Sequence, residues 1–154
     1  MPRRKSSARL RSRRPKTAVV GGKRIRLLKD GSIPEKYIQA QILDWLKASG
    51  VLHWRQNSGV VFAGNRMVRL GEEGLPDIIV VIPPGGRILG LEVKSAKGSL
   101  RPGQKEFRDR LLERGGLYSV VRSLEGAIEA VAAALGEEQW KLLSERGFAG
   151  TWTP

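Results

Sequence analysis

Residues 74–95 read GLPDIIVVIPPGGRILGLEVKS, and this stretch decides the fold. Residues 77–82 form an unbroken run of Asp followed by apolar, mostly β-branched residues. That is the pattern of a central strand buried on both faces. Residues 83–86 turn the chain, and residues 87–95 return as a partner strand. Side chains alternate along a strand, so Glu92 and Lys94 share one face while Leu91 and Val93 share the other. An acid and a base inside an otherwise apolar strand are costly. Each buried ion loses several kcal/mol of hydration unless it is paired or binds something. Asp77 opens the neighbouring strand, so pairing of the two brings a second carboxylate toward Glu92. Two adjacent carboxylates repel unless a cation lies between them.

Outward from this hairpin the periodicity is mixed. Upstream, Ser32 is a candidate N-cap, and with Glu35 it completes an S-x-x-E capping box around Pro34. Tyr37, Ile38, Ile42, Trp45 and Leu46 then recur at helical spacing up to a stop at Gly50. Residues 51–56, 60–63 and 66–70 read as strands, the last two joined by a Gly64-Asn65 hairpin turn. Downstream, a polar loop over 96–103 leads into a helix with Gln104, Phe107 and Leu111 on one face, ending at Gly115-Gly116. Residues 117–122 read as a strand, Ser123 caps a helix to about residue 135, and residues 137–146 form a weaker final helix. The order predicts an α/β or α+β domain with a mixed β-sheet flanked by helices.

Charge is unevenly distributed. The 154 residues carry a formal charge of +13, yet residues 1–29 hold 12 Lys or Arg and no acid. The remaining 16 bases nearly balance all 15 acids. Lacking apolar spacing before Val19, and interrupted by Gly21-Gly22, residues 1–30 are expected to be a basic, disordered arm. Such an arm seeks polyanions, nucleic acid before an anionic membrane surface. The absence of cysteine removes disulfides, thiolate zinc sites and a Cys nucleophile. No apolar run approaches a membrane span. His53, the sole histidine, disfavours two-histidine phosphodiesterase chemistry, and Gly85-Gly86 lacks the GK[ST] of a phosphate loop.

Oxygen ligands without Cys or a His cluster suit Mg²⁺ or Mn²⁺ better than zinc. A divalent ion beside a lysine suits phosphodiester hydrolysis. The metal neutralises phosphate and activates water, and the ammonium stabilises developing charge. A Glu-x-Lys on a strand is more often a solvated face or an ion pair. Here Pro-Asp precedes it by one hairpin, and a basic loop with Lys97, Arg101 and Lys105 follows. Lys97, Arg101, Lys105 and Arg108 form a candidate phosphate-tracking edge, although a solvated helix face also explains the last two. Arg55, Asn57 and Ser58 in RQNSG are candidate DNA contacts or turn residues.

The arrangement resembles the PD-(D/E)XK nuclease superfamily, as Pro76-Asp77 and Glu92-Val93-Lys94, and more closely the VRR-NUC (virus-type replication-repair nuclease) family. The resemblance spans residues 34–130. It rests on Glu35, GLPD at 74–77, LEVKS at 91–95, GSLRPGQ at 98–104 and GGLYSVVRS at 115–123. It implies a restriction-endonuclease-like core at 31–135, with the arm at 1–30 and a C-terminal helix and tail at 136–154. It implies metal binding by Asp77, Glu92, the Val93 carbonyl and Glu35, with Lys94 serving the attacking water and Gln104 completing the site. The implied substrate is structured DNA such as junctions or flaps. The implied setting is a viral or bacterial cytoplasm, or a nucleus in a eukaryote. A domain this small is expected to dimerise on branched DNA, and Trp140, Leu143, Phe148 and Trp152 supply either that interface or an internally docked helix. The competing readings are a non-catalytic basic nucleic-acid-binding protein on the same fold and a sequence-specific restriction-type enzyme.

Overall fold

The computed structural model describes residues 15–57 and 59–145. The chain begins with strands β1 (Thr17–Val20) and β2 (Lys23–Arg26), followed by helix α1 (Glu35–Ser49). Strands β3 (His53–Arg55), β4 (Gly59–Ala63), β5 (Arg66–Leu70), β6 (Ile78–Ile82) and β7 (Arg87–Val93) come next. Helix α2 (Pro102–Glu113), strand β8 (Leu117–Val121) and helix α3 (Leu124–Glu145) complete it. The principal sheet has the order β3-β6-β7-β8. Its first two pairings are antiparallel and β7–β8 is parallel, which makes the predicted mixed sheet.

The β6–β7 register explains the two faces of this sheet. Ile78 pairs with Leu91 and Val80 with Leu89, so these residues share the face that packs on Ile38, Ile42 and Leu46 of α1 and Val131 and Leu135 of α3. Ile42, Leu46, Ile78, Val80, Leu91 and Val131 are fully enclosed. The opposite face carries Ile79, Gly90, Glu92 and Lys94 by alternation, and Glu92 and Lys94 are buried there. One strand thus serves the core with its odd-numbered residues and the polar face with its even-numbered ones.

Two expectations change, and a third, left open between two roles, is narrowed. Residues 17–26, expected to belong to the loose arm, instead form an antiparallel hairpin of β1 and β2 from Thr17↔Arg26 to Val20↔Lys23. Gly21 and Gly22 do not interrupt this segment. Both have positive φ (54° and 75°), the backbone that a two-residue hairpin turn requires, and Ile25 is buried. Residues 1–14 lie outside the described residues. Second, the capping box does not form. Pro34 is the N-cap of α1, and the Ser32 hydroxyl donates to Asp30 at 2.6 Å. The helix starts too late for Glu35 to occupy the third position, which leaves its carboxylate available elsewhere. Of the two roles expected for the last helix, a dimer contact or internal docking, its described residues show docking. Gly136 (φ 77°) breaks α3, and the second half returns Trp140 to the core at 6% exposure with Leu143 packed beside it. Phe148 and Trp152 lie outside the described residues.

Among the described residues, no helix is long and apolar enough to cross a membrane. Trp140→Ala removes a large buried ring from the α3 side of the core. It should lower the unfolding free energy by about 3–5 kcal/mol in urea denaturation. A change under about 1 kcal/mol would mean that the second half of α3 is not part of the folded core.

Candidate nuclease site

Asp77 precedes β6, and one further step of the β6–β7 register sets it opposite Glu92. Its Oδ2 accepts a hydrogen bond from the Val93 backbone N–H at 2.9 Å. No other hydrogen bond to this carboxylate comes from the described residues. Glu92 is 1% exposed and is surrounded by donors. Its Oε1 accepts from Lys94 Nζ at 2.6 Å and from Gln104 Nε2 at 2.5 Å, and Tyr118 Oη stands 3.5 Å from its Oε2. Lys94 is itself 8% exposed, so the pair is held out of water.

The electrostatics follow from this burial. Desolvation raises the pKa of Glu92, the nearby Asp77 charge raises it further, and the bonds from Lys94 and Gln104 oppose both. Desolvation likewise raises Asp77, whereas the Val93 N–H and the Lys94 charge lower it. Burial first and the Glu92 charge second hold the Tyr118 phenol protonated, which keeps it a donor.

Gln104 lies in the first turn of α2. Its Oε1 accepts from the Arg101 backbone N–H at 2.9 Å while its Nε2 reaches Glu92. The helix-capping and site roles therefore coexist in one amide. Glu35, the first residue of α1, reaches across to accept from the Ser95 backbone N–H at 2.9 Å. Gly98 fits between this carboxylate and the Lys94 stem, where an added Cβ meets each at 3.2 Å. The Glu35 charge raises the pKa of Asp77, so the two interact. Nonetheless, among the described residues no three His, Asp or Glu side chains converge at metal-binding spacing. The register sets Asp77 opposite Glu92, and Glu35 is held on the Ser95 N–H.

Two glycines permit the assembly. Gly90 pairs with Tyr118, and a Cβ there lies 2.8 Å from Pro76 and 3.2 Å from the Tyr118 ring. Gly74 has φ 84°, and its added Cβ falls 2.1 Å from the Gly103 carbonyl oxygen. The GLPD loop and the start of α2 thus touch backbone to backbone, which sets Asp77 and Gln104 on the same strand end.

A match to the VRR-NUC domain model covers residues 32–125, the span that holds every one of these contacts. The chain belongs to the VRR-NUC domain family. A solved structure described as a VRR_NUC domain is 27% identical, with a TM-score of 0.46, over 62% of this chain and 90% of that one. No curated protein matches. Membership gives the chain a nuclease fold, with a nuclease-type function at the level of the family.

Within this VRR-NUC domain the candidate DNA contacts lie in separate places. Arg55, exposed on β3, is close enough to Asp77 to lower its pKa. Asn57 is exposed beyond β3, and Ser58 lies outside the described residues. Lys97 is exposed in the loop after β7 and its charge acts on Asp30. Arg101 is the N-cap of α2, and Lys105 is exposed one turn later. Arg108 is taken up by an ion pair with Asp109. A basic concavity at the start of α1 also collects Lys16, Arg26, Lys29 and Lys36 beside Tyr37, which replaces part of the expected arm with a formed surface.

Two site residues were missed in the sequence reading. Tyr118 and Arg122 stand in GGLYSVVRS, but alternation marks both as ordinary strand positions. Parallel pairing of β8 with β7 puts Tyr118 beside Glu92. Arg122 donates to the carbonyls of Ser95 and Gly98, the latter at 2.8 Å, and so clamps the loop whose N–H holds Glu35.

Because its pKa is raised on folding, Asp77 destabilises the metal-free fold above its folded-state pKa. Asp77→Asn keeps an acceptor for Val93 N–H and removes that charge. In chelator, its melting temperature should exceed wild type at neutral pH. The gain should shrink as pH falls through the raised folded value and vanish below the ordinary 3.8. An Asn variant less stable than wild type at neutral pH in chelator would contradict this electrostatic account.

Proposed function

We propose that the protein is a divalent-metal-dependent DNA endonuclease, directed to branched or flapped DNA. The observation that carries the reading is the buried Glu92–Lys94 pair opposite Asp77, at 1% and 8% exposure in the middle of a sheet. A solvated strand face or an exposed ion pair does not explain charges placed there. The pair of hard carboxylate oxygens, both disfavoured as anions by burial, fits Mg²⁺ or Mn²⁺.

In this reading Asp77 and Glu92, with the Val93 carbonyl, would hold the metal, and Glu35 acts from Ser95 on the same strand end. The metal, when bound, supplies charge neutralisation at the phosphate and acidifies water. Lys94 contributes a fixed ammonium that orients the nucleophile and stabilises phosphate charge in the transition state. Gln104 and Tyr118 hold the Glu92 carboxylate in one orientation, as outer hydrogen-bond partners do at metal centres. Arg55, Lys97, Arg101 and Lys105, with the basic concavity at Lys16, Arg26, Lys29 and Lys36, supply non-specific phosphate contacts.

The test uses labelled junction, flap and linear DNA with Mg²⁺, Mn²⁺ or EDTA. Wild type should cut the branched substrates in either metal and in neither case with EDTA. Asp77→Ala should lower the rate by about a thousandfold or more while binding persists. Cleavage that survives EDTA, or that Asp77→Ala leaves intact, rules out the proposed site. Metal-insensitive binding with no cleavage of any substrate favours a binding protein on the same fold.

A further inference from the structure

The β4–β5 hairpin presents apolar side chains that the domain does not cover. Among the described residues its strands pair with each other and with no other strand. Phe62 and Met67 face one another across it at 75% and 69% exposure, and Val60, Val61, Val68 and Leu70 are also exposed. A lone two-stranded hairpin is marginal in water, and apolar groups concentrated on an exposed element mark a binding surface.

Its foot is anchored at the candidate site. The Gln56 N–H donates to the Asp77 carbonyl at 2.8 Å just before β4. After β5, Gly71 lies against the Gln56 side chain and Leu75. Glu72 then pairs with Arg110 of α2. Gly59, Val60 and Leu70 wall a cavity of about 270 Å³ together with Arg101 and Gln104, and Gln104 is the residue bonded to Glu92. Between Gly59 and Gly71 the sequence has two charged residues, Arg66 and Arg69, and no acid. Arg66 is exposed at the tip of this apolar hairpin, and the acids Glu72 and Glu73 line the cavity only at its root; an apolar tip with an exposed guanidinium, set beside the candidate site, complements unstacked nucleobases flanked by phosphates.

We propose that this hairpin is a strand-separating wedge, in which Phe62 and Met67 stack on the terminal base pair where DNA branches. The proposal rests on the reading of the site as one that acts on DNA. Apolar wedges unstack base steps in other DNA-binding proteins, and an aromatic–base stack commonly governs tens-fold changes in affinity.

The test combines Phe62→Ala with Met67→Ala in the full chain. The probe is a DNA flap with 2-aminopurine at the branch, and the control is linear duplex. In Ca²⁺, wild type should raise the 2-aminopurine fluorescence on binding, and the double variant should not. In Mg²⁺, the variant should cut the flap about tenfold or more slowly relative to linear duplex, with an unchanged melting temperature and sedimentation coefficient. Wild type that gives no fluorescence rise overturns the proposal. So does a variant that behaves as wild type, or one that slows both substrates equally. A shift of the variant from dimer to monomer overturns it as well, because the hairpin is then a protein interface. Should wild type bind the flap and cut nothing, the nuclease reading fails while the fluorescence still decides the wedge.

Discussion

The Glu92–Lys94 ion pair, buried in the central sheet opposite Asp77, is the constraint around which this domain is arranged. Two carboxylates and one ammonium withdrawn from water form an unfavourable group unless each lone pair and proton is met. The fold meets them only in part, with Lys94, Gln104 and Tyr118 on Glu92 and the single Val93 N–H on Asp77. Burial still outweighs those bonds, since both carboxylates keep raised pKa values. The site is thus held in an electrostatic state that a cation relieves.

The other face of the same strand provides the stability to hold it. Leu89, Leu91 and Val93 are locked into the layer of α1 and α3, while Gly90, Glu92 and Lys94 look the other way. Rigid placement of the candidate site's groups comes from this shared backbone, because one strand cannot shift its polar residues without moving its core residues. The loop after β7 is tied down by Glu35 from one helix and Arg122 from β8, so elements far apart in sequence converge within a few residues of Lys94.

Much of this was legible in the chain. The β-branched run after Asp77 gave a buried strand, and period-two alternation put Glu92 and Lys94 together. The strands, to within about two residues at their ends, the hairpin at Gly64-Asn65 and the break between residues 135 and 137 follow from local signals that the structure repeats. What failed was local grammar read without tertiary partners. Ser32-x-x-Glu35 is a capping box only if the helix starts at Ser32, and Pro34 starts it later. Gly21-Gly22 reads as a break or as a turn, depending on whether the flanking residues pair. Tyr118 and Arg122 gain their partners solely from the parallel β7–β8 pairing, which no spacing within either strand encodes.

A direct test of the central claim is Mn²⁺ titration of the DNA-free protein by calorimetry, comparing wild type with Asp77→Ala and with Glu92→Gln. Wild type should bind Mn²⁺ saturably, and either substitution should weaken that binding by at least about tenfold. Equal affinity in all three proteins, each folded by circular dichroism, would contradict it, because the ion would then sit somewhere other than between these two carboxylates.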